Sequence, residues 1–141
     1  MPHPSAPDPD PAPGLVTIGR AAKKATLGGR TQVIVPVSGD AAALSGQVEA
    51  LASCRADIVE WRADTFLSSL VGSHFVAASD VEEDLVRMAR YVADSSPLPV
   101  LATIRTSVEG GKAYLDDEEY CALVRSLASF AGGVDVEISR D

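Results

Sequence analysis

Two opposite charges, Glu60 and Arg62, stand two residues apart near the middle of the chain. They end the run Asp57-Ile-Val-Glu-Trp-Arg62, whose β-branched and aromatic residues predict a strand. One interpretation is a buried ion pair, because interior charges without partners are too costly to leave alone. The other is recognition of a polar or anionic small molecule, with Arg62 and Arg105 as planar donors to carboxylate and hydroxyl oxygens.

A carboxylate follows the second of these arginines. Glu109 lies four residues beyond Arg105 and just before Gly110-Gly111, in a predicted loop after a strand. There it can orient a histidine or accept a substrate proton; the alternative is an ordinary solvated loop glutamate. The two glycines favour a turn over an anion-binding loop, because the spacing of phosphate-binding motifs is missing.

Few residues are suited to bind a metal. His3 and His74 have no histidine or cysteine partner at ligand spacing, so we expect no metal on either. A hard divalent cation held by carboxylates is a further alternative, although Arg62 and Arg105 would repel it. Its ligands would be Glu60, Asp64, Glu109 and Glu137.

Strand-like and helix-like segments alternate along the chain and must position these side chains. Helices are expected after Asp40, after a capping box at Ser79–Glu82, and over Asp116–Phe130. Strands are expected over Gln32–Val37, Asp57–Arg62, Pro99–Arg105 and Val134–Ile138, which gives the order β-α-β-α-β-α-β.

The predicted strands are polar on one face and apolar on the other. Glu60 and Arg62 lie opposite Trp61, and Glu137 lies opposite Val136 in the same way. A central strand of an open doubly wound sheet is apolar on both faces, whereas a barrel can direct polar residues inward at its carboxyl-terminal mouth. We therefore predict an α/β fold of the (β/α)8 TIM-barrel class. A complete barrel takes about 250 residues, so about four of the eight βα units are expected here.

The N-terminal region differs from the rest in composition. Residues 1–13 hold six of the nine prolines and are expected to form a disordered tail before a folded region, 14–141. A short β-hairpin is expected at the start of that region. Gly28-Gly29 suits its tight turn, between the β-rich runs Ala25–Leu27 and Thr31–Val33.

Composition and charge narrow the class of protein. The 141 residues carry a net charge of −8 and 46% hydrophobic residues, values typical of one globular domain. The acidic balance argues against nucleic acid and anionic membranes as partners. Neither a membrane-spanning stretch nor a secretory signal is visible, so we expect a cytoplasmic protein. Cys54 and Cys121 are too few for a disulfide scaffold, and we expect two buried structural thiols.

Three motifs together resemble type I 3-dehydroquinate dehydratase of the shikimate pathway. In chain order they are Asp57-Ile-Val-Glu-Trp-Arg-Ala-Asp64, Ala102-Thr-Ile-Arg-Thr-Ser-Val-Glu-Gly-Gly111 and Val134-Asp-Val-Glu-Ile138. Residues 14–19 and 32–38 also look like the hairpin and first strand of that family, so the resemblance covers about residues 14–141.

The resemblance implies a (β/α)8 carbon–oxygen lyase of aromatic amino-acid biosynthesis. Such an enzyme dehydrates 3-dehydroquinate to 3-dehydroshikimate through a lysine Schiff base and needs no metal or other cofactor. By the same resemblance, Glu60, Arg62 and Arg105 contact the substrate, and Glu137 lies in the active-site floor. Glu109 is implied to orient the catalytic histidine.

The resemblance also places the Schiff-base lysine and the general-base histidine on later strands. Lys23, Lys24 and Lys112 are the lysines of this chain, and none matches the position of the nucleophile. Because the covalent step needs that nucleophile, we expect the chain alone to be a truncated, inactive half of a dehydratase. The alternative is a noncatalytic half-barrel, a binding or assembly module whose unpaired strand edges favour self-association, for example as a homodimer.

Overall fold

The computed structural model describes residues 14–71 and 78–138; the predicted tail over 1–13, and His74, lie outside them. Helices and strands alternate after an initial hairpin. In chain order they are β1 Val16–Arg20, β2 Lys23–Leu27, β3 Ile34–Ser38, α1 Ala41–Ala50, β4 Ile58–Arg62, α2 Ala63–Val71, α3 Ala78–Ser95, β5 Val100–Thr103, α4 Asp117–Ala128 and β6 Gly133–Asp135.

The central element is a parallel sheet with the strand order β3-β4-β5-β6. Each strand is connected to the next by at least one helix, as parallel pairing requires. The register places Ser38, Arg62, Thr103 and Asp135 side by side in one row. We refer to the carboxyl ends of these strands, together with the loop 104–113 after β5, as the mouth. The predicted parallel sheet with helical connections is confirmed.

The apolar faces of the strands pack against the helices. Val59 and Trp61 of β4 are fully buried, and Ala102 of β5 is 1% exposed. Helices contribute Leu44 and Leu85, which are also fully buried. Burial of each such large apolar side chain stabilises the fold by roughly 1.5–3 kcal/mol. The opposite face of β4 carries the half-buried Glu60 and Arg62, as the period-2 alternation predicts.

Helices α1 and α4 begin directly after aspartates that cap them. The side chain of Asp40 accepts a hydrogen bond from the Ala43 amide at 2.9 Å at the start of α1. Asp116 and Glu119 form a reciprocal capping box at the start of α4. Helix α3 begins at Ala78, one residue ahead of the predicted cap at Ser79.

Helix α2 is absent from the sequence-based prediction, which has a loop between β4 and α3. It begins at Ala63, directly after the last residue of β4, with no linker. Phe66 and Leu67 are buried and Leu70 packs against the core. An apolar stripe of this length in a nine-residue helix is too short to stand out against the strand that precedes it.

The hairpin is confirmed, but the prediction of its turn is wrong. β1 and β2 pair from Val16 with Leu27 to Arg20 with Lys23, so the turn falls at Ala21-Ala22. Ala21 itself adopts a positive φ of 50°. Gly28 does have the positive φ that was expected, 94°, but it lies at the open end of the hairpin against the carbonyl of Gly14.

The hairpin attaches to the amino-terminal side of the sheet. The Gly19 amide donates to the carbonyl of Gly132 at 3.0 Å. Lys23 Nζ donates to the carbonyls of Ala93 at 2.6 Å and Ser96 at 2.8 Å, which lie at the end of α3. A cation at this position compensates the helix dipole and uses carbonyls that have no partner within the helix.

The prediction of two buried thiols is wrong, because Cys54 and Cys121 are both exposed. Tyr120 and Leu123 place the buried stripe of α4 on either side of Cys121, which is turned away from the core. Within residues 14–71 and 78–138, no helix is both long and apolar enough to cross a membrane.

Candidate active site at the carboxyl ends of the strands

The predicted site residues come from β4 and from the segments that follow β5 and β6. Glu60 and Arg62 lie on β4, and Arg105 and Glu109 lie in the loop after β5. Glu137 lies two residues beyond the end of β6, which is shorter than the predicted strand Val134–Ile138. Because parallel strands end at the same side of a sheet, all five positions lie at or beside the mouth.

Arg62 forms a bidentate ion pair with Asp64 rather than with Glu60. Its Nε and Nη2 atoms donate to Oδ1 and Oδ2 of Asp64 at 2.8 and 2.9 Å. The hydrogen bonds that Arg62 donates to Asp64 are the main reason that the pKa of Arg62 is raised, and Glu60 raises it further at longer range. The interpretation of Glu60 and Arg62 as an ion pair is therefore right for Arg62 but wrong about its partner, which is Asp64.

Asp64 connects Arg62 to the loop after β5. Its side chain is fully buried in the first turn of α2, and its Oδ2 atom also accepts a hydrogen bond from the Lys112 amide at 3.0 Å. Burial alone would raise the pKa of Asp64, but the hydrogen bonds from Arg62 and from the backbone amides of Lys112 and Arg105 lower it below its usual value. Asp64 is consequently held as a carboxylate.

Arg105 is the centre of a second group of charges. It donates from Nη1 to Oε2 of Glu109 at 2.6 Å and from Nη2 to Oδ1 of Asp135 at 3.0 Å. Glu137 lies 3.9 Å from Nη1. Burial lowers the pKa of Arg105, but the charges of Asp135 and Glu109 raise it by more, so the guanidinium stays charged.

A compact turn brings the side chain of Glu109 back to Arg105. The amides of Glu109 and Gly111 both donate to the carbonyl of Thr106, at 3.1 and 2.8 Å. A Cβ atom at Gly111 would lie 1.8 Å from the carbonyl oxygen of Arg105, so this close approach requires glycine. The structure agrees with the interpretation of Gly110-Gly111 as a turn.

Glu137 has a fully buried side chain that is bonded to the start of the same loop. Its two oxygens accept hydrogen bonds from the amide and the hydroxyl of Thr106, at 2.7 and 2.8 Å. The amide of Glu137 donates to the hydroxyl of Tyr120 at 2.9 Å. The carboxylate therefore fixes the start of the loop that carries Glu109.

Two residues of the site were missed as candidates from the sequence. The sequence analysis considered Asp64 only as a possible cation ligand and as part of a motif. It named Asp135 only as part of a motif. The signal for Asp135 was its place on the same strand face as Glu137. The signal for Asp64 was its position two residues after Arg62, but only the direct change from β4 to α2 brings the two side chains together.

The carboxylates of the divalent-cation hypothesis are not gathered into one ligand set. Across residues 14–71 and 78–138, no three acidic, histidine or cysteine side chains form a cluster suited to a metal ion. Asp64 and Glu109 are each paired with a different arginine, and Glu137 is bonded to Thr106.

The fold and the site define a class of protein. Parallel strands with helices on their apolar face, and charged residues at their carboxyl ends, form part of a (β/α)8 barrel with the arrangement of a barrel active site. Residues 33–141 match the sequence model of the Type I 3-dehydroquinase family. The chain belongs to this family.

Known relatives agree in sequence and in structure. The chain is 31% identical over 116 residues to a 3-dehydroquinate dehydratase of Klebsiella pneumoniae, covering 80% of this chain and 43% of the relative. It is 35% identical over 100 residues to one of Bacillus velezensis, covering 70% and 36%. The chain thus spans less than half the length of these relatives.

Solved structures give the same result for the fold. The 3-dehydroquinate dehydratase of Geobacillus kaustophilus superposes with a TM-score of 0.67 and 24% identity, over 90% of this chain and 46% of that one. A type I enzyme from Clostridium difficile, solved with covalently modified comenic acid, gives a TM-score of 0.65 and 25% identity, over 88% and 46%. The prediction of part of a TIM barrel is confirmed.

Proposed function

We propose that this chain supplies the first half of the active site of a 3-dehydroquinate dehydratase. The proposal depends on one observation: the motif residues Glu60, Arg62, Arg105 and Glu109 lie at the ends of two adjacent parallel strands, where barrel active sites form. Its reaction is the loss of water from 3-dehydroquinate, a small hydroxylated keto acid, to give 3-dehydroshikimate.

The chain's own residues are suited to bind and orient this substrate. Arg62 and Arg105 present guanidinium donors to hydroxyl and carboxylate oxygens, and Glu60 adds an acceptor for a hydroxyl hydrogen. Glu109 on the rim can accept a hydrogen bond from an imidazole and so hold a histidine base in one tautomer. The proton removal and the departure of the hydroxyl as water then need a base and an electron sink, for which the resemblance implies a histidine and a lysine imine.

The charges of the mouth bear on which group of the substrate each half of the barrel binds. Arg62 is paired with Asp64, and Arg105 with Glu109 and Asp135. Carboxylates therefore outnumber the two arginines, and this half of the mouth is suited to hydroxyl groups more than to a net negative charge. We propose that the substrate carboxylate is bound mainly by cations on four further strands that complete the barrel.

The test uses the protein as its own cell produces it. Purified protein is mixed with 3-dehydroquinate, and the conjugated enone of the product is followed by its ultraviolet absorbance. We expect conversion, and an Arg105→Ala variant with a strongly reduced rate. Arg87→Ala is the matched control, because Arg87 also has two acidic partners but lies exposed on α3. Absence of conversion, or equal rates for both variants, would contradict the proposal.

The further expectations about assembly and location stay predictions. A noncatalytic half-barrel module would associate through the outer strands β3 and β6. Light scattering at several concentrations separates the alternatives, because such a module would form a homodimer with no turnover of 3-dehydroquinate. Fractionation of the producing cell tests the cytoplasmic location.

A further inference from the structure

Asp64 accepts three hydrogen bonds at the mouth, yet the resemblance gives it no role in substrate binding. It is fully buried, and both its oxygens accept hydrogen bonds from side-chain nitrogens of Arg62. The same carboxylate accepts a hydrogen bond from the backbone amide of Lys112 at 3.0 Å. One carboxylate therefore connects the end of β4 with the Lys112 end of the loop after β5.

Two other ion pairs among the described residues lack this combination of burial and contact with a second segment. Asp57, at the opposite end of the same strand, pairs with Arg30, whose side chain is 71% exposed. Arg87 pairs with Glu83 and Asp84, which lie within one turn of it on the same helix, and its side chain is 68% exposed. Exposed pairs of this kind contribute little to geometry or stability, since solvent screens them and the side chains stay mobile.

The geometry at Asp64 fixes the orientation of a substrate-facing arginine. Two parallel bonds to Nε and Nη2 define the plane of the Arg62 guanidinium, as bidentate pairs do. Both hydrogens of Nη1 and one of Nη2 are then left for other acceptors, such as a substrate oxygen. At the same time the hydrogen bond from the Lys112 amide connects Asp64 to the loop that carries Glu109.

We propose that Asp64 is a positioning residue that holds Arg62 and the 105–112 loop in one fixed arrangement, and that substrate affinity depends on it although it does not touch the substrate. The part of this proposal that concerns 3-dehydroquinate rests on the proposed function. The part that concerns the fixed guanidinium does not, so the two can be tested separately.

The first measurement needs no substitution. Hydrogen exchange of the arginine Nε–H groups is followed by NMR in the full protein. We expect the Arg62 Nε–H to exchange at least about tenfold more slowly than that of Arg87, because a buried acceptor protects it. Equal exchange rates would overturn the proposal, whatever the protein does with 3-dehydroquinate.

The second measurement compares Asp64→Asn with Asp57→Asn. An asparagine at 64 must direct its NH2 group at one of the N–H donors that Asp64 accepts, so it cannot satisfy both Arg62 and the loop. We expect its affinity for 3-dehydroquinate to fall roughly 10- to 100-fold, measured by calorimetry on folded protein, while Asp57→Asn binds within about twofold of the original. A residue with a merely stabilising role would lower the melting temperature and leave this affinity unchanged.

The outcomes separate the two proposals. Unchanged affinity in Asp64→Asn, with normal binding by the original protein, overturns the positioning role. If the original protein does not bind 3-dehydroquinate, the proposed function fails, and the exchange rate of Arg62 still decides the role of Asp64. The same exchange measurement decides it if Asp64→Asn does not fold.

Discussion

Arg105 and Glu109 are joined by a 2.6 Å ion pair one short turn apart, at the point where β5 opens into the mouth. The pair depends on a loop that is bonded at both ends, to the buried Glu137 through Thr106 and to the buried Asp64 through Lys112. The position of Glu109 is therefore set by residues that are distant in sequence. This arrangement accounts for the two glycines that follow Glu109, since the loop must turn back against its own backbone.

Substitution of Gly111 tests that close approach. In Gly111→Ala the new Cβ would lie 1.8 Å from the Arg105 carbonyl oxygen, so the backbone must move. We expect a loss of about 1–3 kcal/mol in the free energy of unfolding, measured with urea. Gly46→Ala is the control: it lies within α1, with no heavy atom within 4 Å of the added Cβ. It should be stabilising by roughly 0.5–1 kcal/mol.

Arg62→Ala is expected to destabilise the fold as well as to weaken substrate binding. It leaves Asp64 buried without its cation, although the amides of the loop remain. We expect a loss of about 3 kcal/mol in urea unfolding. Arg87→Ala removes two exposed ion pairs and should change stability by less than about 1 kcal/mol. A loss no larger in Arg62→Ala than in Arg87→Ala would contradict the role given to the Arg62–Asp64 pair.

The decrease in the free energy of unfolding at acidic pH should depend on Asp64. Its pKa in the folded protein lies below the usual 3.8, so its contribution is complete above that value and is lost as the pH falls through the folded pKa. Urea unfolding between about pH 5 and about pH 2 should show a smaller fall in stability for Asp64→Asn than for the original protein. Parallel curves for the two proteins would show that Asp64 is not stabilised as a carboxylate.

Lys23 provides a test at the opposite side of the sheet. Lys23→Ala removes two hydrogen bonds from an ammonium group to carbonyls at the end of α3. We expect a loss of about 1 kcal/mol in the free energy of unfolding, with unchanged affinity for 3-dehydroquinate. Lys24→Ala, at the exposed neighbouring position, should have a smaller effect. A change in affinity in Lys23→Ala would show that the hairpin influences the mouth.

The sequence was sufficient for features that follow a simple period. The alternation of Glu60, Trp61 and Arg62 predicts which side chains face the helices and which face the mouth, because a strand has a period of two. The parallel sheet also follows, since strands that are connected by helices run in the same direction.

Features that depend on distant contacts or on unmarked changes of structure were not predictable. Glu137 finds Thr106 across 31 residues, and no local pattern indicates that partner. The hairpin turn at Ala21-Ala22 lacks the glycine that normally marks a positive φ. The turn was therefore predicted at Gly28-Gly29 instead. The Arg62–Asp64 pair depends on α2 starting without a linker, which the sequence does not mark.

The most direct test of the whole account is borohydride reduction of the protein, as its own cell produces it, in the presence of 3-dehydroquinate, followed by mass spectrometry of its peptides. A Schiff-base dehydratase is trapped as a stable amine, whose mass increase corresponds to the bound ligand. We predict such an adduct on a lysine other than Lys23, Lys24 and Lys112, and its near loss in Arg105→Ala but not in Arg87→Ala. An adduct on any of those three lysines, or no adduct on the protein at all, would contradict the account.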